Sequence, residues 1–172
     1  PWEIQLTQLN LLSSHDIARA LTVMGDDLAS LELAVLLQMT FPGAPCIYYG
    51  DEVGLDGGLD PDCRKVFPPE KAWHQPLLAH HKALVALRHH YAALRTGSYT
   101  VWLTEGDLYG FKRELGDETL LVLVNAGPTA VPVDRAGYGE LATDWRAVFG
   151  DLEVTSEKVI VPSRSGGILA QL

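Results

Sequence analysis

Leu9, Leu11 and Leu12 form a short apolar run that breaks into the polar cluster Ser13-Ser14-His15-Asp16, which predicts a strand over Leu9 to Ser13 delivering a loop. Before it, Trp2, Ile4 and Leu6 alternate too weakly to define a strand. Asp26 and Asp27 open an apolar stretch that predicts a helix through Met39, and acidic residues at its start suit the positive end of the helix dipole. Pro42 and Gly43 stop that helix. Ala44 to Tyr49, almost wholly apolar, reads as a parallel strand covered on both faces. Gly50 to Glu70 is a long loop rich in Gly, Pro and Asp, of a length that compact domains usually reserve for function. A second helix is predicted from Gln75 to Leu94, with Leu77, Leu84, Leu87, Tyr91 and Leu94 on one face.

The period changes at Gly97. From there the chain gives short alternating or β-rich runs: Tyr99 to Leu103, Leu108 to Glu114, Thr119 to Asn125, Ala130 to Val133, Lys158 to Val161 and Ile168 to Leu172. Turn residues separate them, as in a small antiparallel sandwich. The expected fold class is therefore α/β over residues 1–96 followed by an all-β domain over residues 97–172.

Composition narrows the possible partners. Of the 172 residues, 47% are hydrophobic and 20% charged, which describes an ordinary globular chain with enough apolar surface for a core. A net charge of -9 argues against nucleic acid, because phosphate binding requires clustered Lys and Arg. The longest apolar stretch, Leu28 to Met39, is interrupted by Ser30, Glu32 and Gln38 and falls short of the roughly 20 residues a membrane crossing needs. Cys46 and Cys63 lack metal-ligand spacing and are expected as free thiols, and the expected compartment is the cytoplasm. The chain starts at Pro1 and is expected to be a piece of a longer protein.

The chemistry concentrates in two stretches. Ser13 to Asp16 reads equally as a helix cap or as a catalytic loop, and Arg19 stands where one helical turn would return it to Asp16. The second stretch is Phe41 to Glu52, followed by Asp60-Pro61-Asp62-Cys63-Arg64-Lys65. Together, Asn10 to Arg19, Pro42 to Glu52 and Asp60 to Lys65 resemble the alpha-amylase family of glycoside hydrolases, in its neopullulanase, cyclomaltodextrinase and maltogenic amylase subgroup.

The resemblance implies strands seven and eight of a (β/α)₈ barrel with their helices, then the C-terminal β-sandwich of that family. A whole barrel typically needs roughly 250 residues. It also implies that the nucleophile and general acid, carried after the fourth and fifth barrel strands, lie outside this chain. Asp16 would be the third family carboxylate, the transition-state stabiliser. His15 would donate to the same sugar, and Arg19 would orient carboxylates and keep them ionised. Asp60 and Arg64 would form a pair serving sugar subsites away from the cleavage point, in place of a simple loop salt bridge. The substrate would be an alpha-glucan oligosaccharide or cyclodextrin, and the parent enzyme has room to be a homodimer.

The remaining candidates are set against packing. Asp56, Asp60 and Asp62 invite a calcium reading, but the spacing lacks the regular ligand pattern and Pro61 stiffens the loop, so no metal or other cofactor is expected. His80, His81, His89 and His90 read as solvated or interface histidines. Tyr48, Tyr49, Trp73 and Trp102 have faces suited to sugars, with ordinary packing as the default. The leading function is the C-terminal portion of an alpha-glucan hydrolase cleaving α-1,4 bonds, with α-1,6 and cyclodextrin activity open, by a retaining mechanism. The alternative is a non-catalytic carbohydrate-binding or structural module of the same fold.

Overall fold

The protein is described by a computed structural model that covers residues 1–141 and 144–171. It divides into two compact units: residues 1–39 with 43–87, and residues 40–42 with 88–172.

The first unit holds two parallel strands, β1 (Leu9–Leu11) and β2 (Ala44–Cys46), with Leu9 opposite Ala44 and Leu11 opposite Cys46. Both are shorter than the apolar runs that predict them. They are also more open: Leu9 is 60% and Leu11 42% exposed, because no further strand pairs with either edge among the described residues. Gly43 (φ +111) lets the chain pass close to β1, where a Cβ would sit 2.7 Å from the Gln8 carbonyl that accepts the Ala44 N–H. The weak pattern at the start is a helix, α1 (Trp2–Leu6). After β1 comes one short turn of helix, α2 (Ala20–Val23), then α3 (Leu28–Thr40). Asp27 caps α3, its carboxylate accepting from the Ala29 and Ser30 N–H groups and the Ser30 hydroxyl. Gln38, buried on α3, donates to the carbonyls of Asn10 and Cys46 and so ties both strands to the helix.

The predicted second helix is two. α4 (Gln75–His90) ends where Tyr91 turns extended, and α5 (Ala92–Thr96) follows. The break is satisfied by Arg95, whose Nη1 donates to the Arg88 and His89 carbonyls. The histidines of α4 divide by burial. His81 is buried and donates Nδ1–H to the Leu77 carbonyl, while His80 Nε2 lies 3.0 Å from the carbonyl of Glu32. His89 and His90 are exposed, so the expectation of solvated or interface rings fails for His81.

Burial holds the His80 imidazole below its ordinary pKa. The unfolded chain then binds the proton more readily. This contribution to stability is complete above the unfolded pKa of about 6.5 and is lost as pH falls through the lower folded value. His80→Gln is expected to flatten the fall of melting temperature between neutral pH and the acid side. An unchanged slope in calorimetric scans would remove His80 from the account.

The second unit carries α5 and two antiparallel sheets. The five-stranded sheet combines β3 (Thr100–Glu105), β4 (Leu108–Leu115), β5 (Glu118–Asn125), β7 (Trp145–Phe149) and β10 (Ser165–Gln171) in the order β3-β4-β5-β10-β7. The smaller sheet runs β6-β9-β8, from β6 (Val131–Asp134), β8 (Glu153–Val154) and β9 (Lys158–Val161). Leu121, Leu123 and Leu169 of one sheet and Val133, Val159 and Val161 of the other share one buried cluster. β7 and β8 were not anticipated from the pattern, and Leu172 of the predicted last strand lies outside the described residues.

Two buried polar groups hold this unit's edges. Asn125 donates to the carbonyls of Thr129, Val161 and Pro162 and accepts from the Gly127 N–H. Arg113 donates to the carbonyls of Ser98, Gly97 and Thr40, and burial, with Arg88 adding, pushes its pKa down to about 10. No helix among the described residues is long and apolar enough to cross a membrane.

Candidate active-site loops

Two segments of the first unit, the turn after β1 and the loop after β2, meet in an exposed cluster. His15 Nε2 lies 3.3 Å from Asp16 Oδ2, with the side chains 66% and 69% exposed. From the other loop, Arg64 reaches the same place. Its Nε donates to the His15 carbonyl at 3.0 Å and lies 3.0 Å from Asp60 Oδ1, and its Nη2 stands 4.0 Å from Asp16 Oδ1. The Asp60–Arg64 contact is made through Nε, which also donates to the His15 carbonyl. His15, Asp16, Asp60 and Arg64 therefore share one surface with acceptors and donors of both signs.

Arg19 is not in that cluster. Residues 15–18 do not coil into a helix turn, Arg19 itself is extended (φ -61, ψ 143), and its side chain points inward. It is fully buried against Asp51, with Nη1 3.1 Å from Asp51 Oδ1. Nη1 also donates to the Tyr49 carbonyl at 2.5 Å, and Nε to the Cys63 carbonyl at 2.8 Å. Among the described residues its Nη2 has no hydrogen-bond partner, but the guanidinium carbon lies 4.1 Å from the Tyr48 ring centre and 4.6 Å from that of Tyr49, so π-faces receive it. The guanidinium beside Asp16 is that of Arg64, not Arg19.

Asp51 is the partner that the sequence did not reveal. It is 7% exposed, and burial raises its pKa even though the Ser13 hydroxyl and Arg19 pull the other way. Ser13 accepts from the Ala20 N–H at 2.8 Å from seven residues upstream, while the N-cap position of α2 is Arg19, whose side chain makes no cap hydrogen bond. The Arg19 N–H donates to the Gly57 carbonyl at 2.9 Å. Gly57 has no room for a side chain: a Cβ there would stand 2.7 Å from the Asp62 carbonyl and 3.1 Å from Arg19 Cγ.

The other candidates have local partners. Lys65 Nζ bridges Asp56 at 3.1 Å and Asp62 at 3.3 Å, so two of the three acids behind the calcium reading are held by a lysine. Asp62 also accepts the Gly58 N–H, and that bond, ahead of Lys65, lowers its pKa. Among the described residues no group of three or more His, Cys, Asp or Glu side chains is placed to hold a metal ion. Cys46 and Cys63 are free thiols. Trp73 donates to the Pro68 carbonyl and packs edge-on against Phe67, and Trp102 packs against the sandwich core.

Residues 2–82 match the alpha-amylase catalytic domain. Through this segment the chain is similar to the alpha-amylase family. It is 41% identical over 145 residues to a cyclomaltodextrinase of Geobacillus thermopakistaniensis, an alignment covering 80% of this chain and 24% of that protein. It is 44% identical over 119 residues to neopullulanase 2 of Thermoactinomyces vulgaris, covering 67% and 20%. The native-form structure of the Nostoc punctiforme debranching enzyme superposes with a TM-score of 0.87 at 47% identity, over 99% of this chain and 37% of that one. The chain thus spans about a quarter or less of the length of these two curated relatives. Its fold corresponds to part of a barrel joined to a sheet domain.

Proposed function

We propose that the chain is the C-terminal portion of an alpha-glucan hydrolase that cleaves α-1,4 glucosidic bonds, with α-1,6 linkages and cyclodextrins as further substrates, by a retaining mechanism. In this reading residues 1–96 are barrel strands seven and eight with their helices, and residues 97–172 are the C-terminal sandwich. The observation that carries it is the exposed cluster of His15, Asp16, Asp60 and Arg64 at the loop ends of two adjacent parallel strands, where barrel enzymes assemble their sites. The names of the relatives, cyclomaltodextrinase and neopullulanase, support an alpha-glucan substrate.

Asp16, open to solvent, is free to grip sugar hydroxyls and to stabilise positive charge developing at the anomeric carbon. His15 donates to the same sugar, and Asp60 with Arg64 serves a more distant subsite. Retaining cleavage needs two further carboxyl groups about 5–5.5 Å apart, which the complete enzyme supplies from outside these residues. The two free thiols suit a reducing compartment, and we assign the complete protein to the cytoplasm.

The test is the complete enzyme assayed on maltohexaose, a cyclodextrin and pullulan, with the anomeric form of the first product read by NMR. α-Configured product is expected. A β-configured first product overturns the retaining mechanism, and no cleavage of any of the three overturns the activity. The 172-residue chain alone is expected to hydrolyse none of them. Turnover by rigorously purified chain, abolished by Asp16→Ala, would show that the reacting carboxylates lie within it.

A further inference from the structure

Arg19 joins every segment that the exposed cluster is built on. Its backbone N–H is bonded to the Gly57 carbonyl, its Nη1 to the Tyr49 carbonyl and to Asp51, and its Nε to the Cys63 carbonyl. Cys63 immediately precedes Arg64, the side chain that touches Asp60, the His15 carbonyl and, at longer range, Asp16. Asp51 closes the set, since its carboxylate faces Arg19 and also receives the hydroxyl of Ser13, two residues before His15.

We infer that Asp51 is a positioning residue, which acts through Arg19 to fix the loop of Asp60 and Arg64 against the turn of His15 and Asp16. The inference rests on the proposed sugar-binding role of Asp60 and Arg64. Three features support it. Asp51 and Arg19 are too buried to meet a substrate, so whatever they contribute passes through the groups they hold. Arg19 presents its donors in a rigid planar fork, and two of its three nitrogens are committed to groups on the loop after β2, so its rotamer sets where that loop lies. The exposed contacts cannot supply the same fixity: each surface ion pair gains only about 0–1 kcal/mol and competes with water. The distance from Arg64 to its neighbours is therefore held from beneath, by the buried pair.

The test is a double-mutant cycle in the complete enzyme, reading the Michaelis constant for maltohexaose and the rate constant separately. All variants are compared at a temperature where circular dichroism shows them folded. Arg64→Ala alone is expected to raise the Michaelis constant about tenfold, the loss of one charge-assisted contact. Asp51→Asn alone is expected to raise it by a similar factor. In the Arg64→Ala background it is expected to add less than about twofold, because the group it positions is already gone. Asp51→Glu should recover part of the loss. Full additivity of Asp51→Asn and Arg64→Ala, or an unchanged Michaelis constant in Asp51→Asn, overturns the positioning role. An unchanged Michaelis constant in Arg64→Ala overturns instead the sugar-binding role on which it rests. If Asp51→Asn does not fold, Arg19→Lys replaces it in the cycle with the same expected outcomes, since an ammonium keeps the charge beside Asp51 but cannot hold the Tyr49 and Cys63 carbonyls together.

Discussion

Asp16→Asn in the complete enzyme is expected to lower the rate constant by about 10²-fold or more, equivalent to roughly 2.7 kcal/mol of transition-state stabilisation. The substitution keeps the side chain's shape and part of its hydrogen bonding and removes only the charge. A carboxylate that holds developing positive charge does most of its work in the transition state, so the loss belongs in the rate constant and not in uniform substrate affinity. His15→Ala should cost less, since it removes a hydrogen-bond donor and no negative charge. Asp16 makes no buried contact and is 69% exposed, so the variant should melt with the parent protein. Rate and Michaelis constants on one maltooligosaccharide decide the matter. A raised Michaelis constant with an intact rate constant would reduce Asp16 to a binding group.

Arg19→Met is expected to destabilise the first unit by about 3–5 kcal/mol, because it leaves Asp51 charged and buried without its partner. The Tyr49 and Cys63 carbonyls lose their donors in the same step. Combining it with Asp51→Leu should restore much of the loss, since a buried ion pair replaced whole by apolar groups is often close to neutral. Hydrogen exchange of the β1 and β2 amides provides a local reading in a chain of two units, where a single global transition is not assured. A loss below about 1 kcal/mol would mean that water replaces the missing guanidinium and that the pair is not truly enclosed.

The strands of the second unit were readable from the sequence where alternation or a β-branched run is dense. β4 and β5 are eight residues each, with β5 apolar from Leu120 to Val124, and turn residues bound them. β7 and β8 were missed for a physical reason. Trp145–Phe149 is half-buried along most of its length and has no clean alternation, and Glu153–Val154 is two residues long. The break at Tyr91 was hidden because helical spacing continues through it, and the termination depends on Arg95 reaching back to carbonyls.

At the site, Asp16, Asp60 and Arg64 were recognisable by residue type and motif, and their meeting follows from the two strands lying side by side. Arg19 pairs with Asp16 in a local reading because it stands at i+3 from it. Its real partner is 32 residues away, and no local pattern reports that. A usable signal was present in the pairing of Arg19 with Gly50-Asp51-Glu52: an acid next to apolar aromatic residues demands a buried cation, and few cations in the first unit are available.

The separation between a buried pair beneath and open side chains above bears on how such a surface diverges. His15, Asp16, Asp60 and Arg64 are each about half exposed or more. Exchanging one of them disturbs the folding of the chain by little, since exposed pairs contribute at most about 1 kcal/mol. Exchanging Arg19 or Asp51 threatens the fold itself. Under the proposed sugar-binding role, the side chains at the top of these loops can be exchanged to vary saccharide preference while the buried pair below keeps the architecture in place.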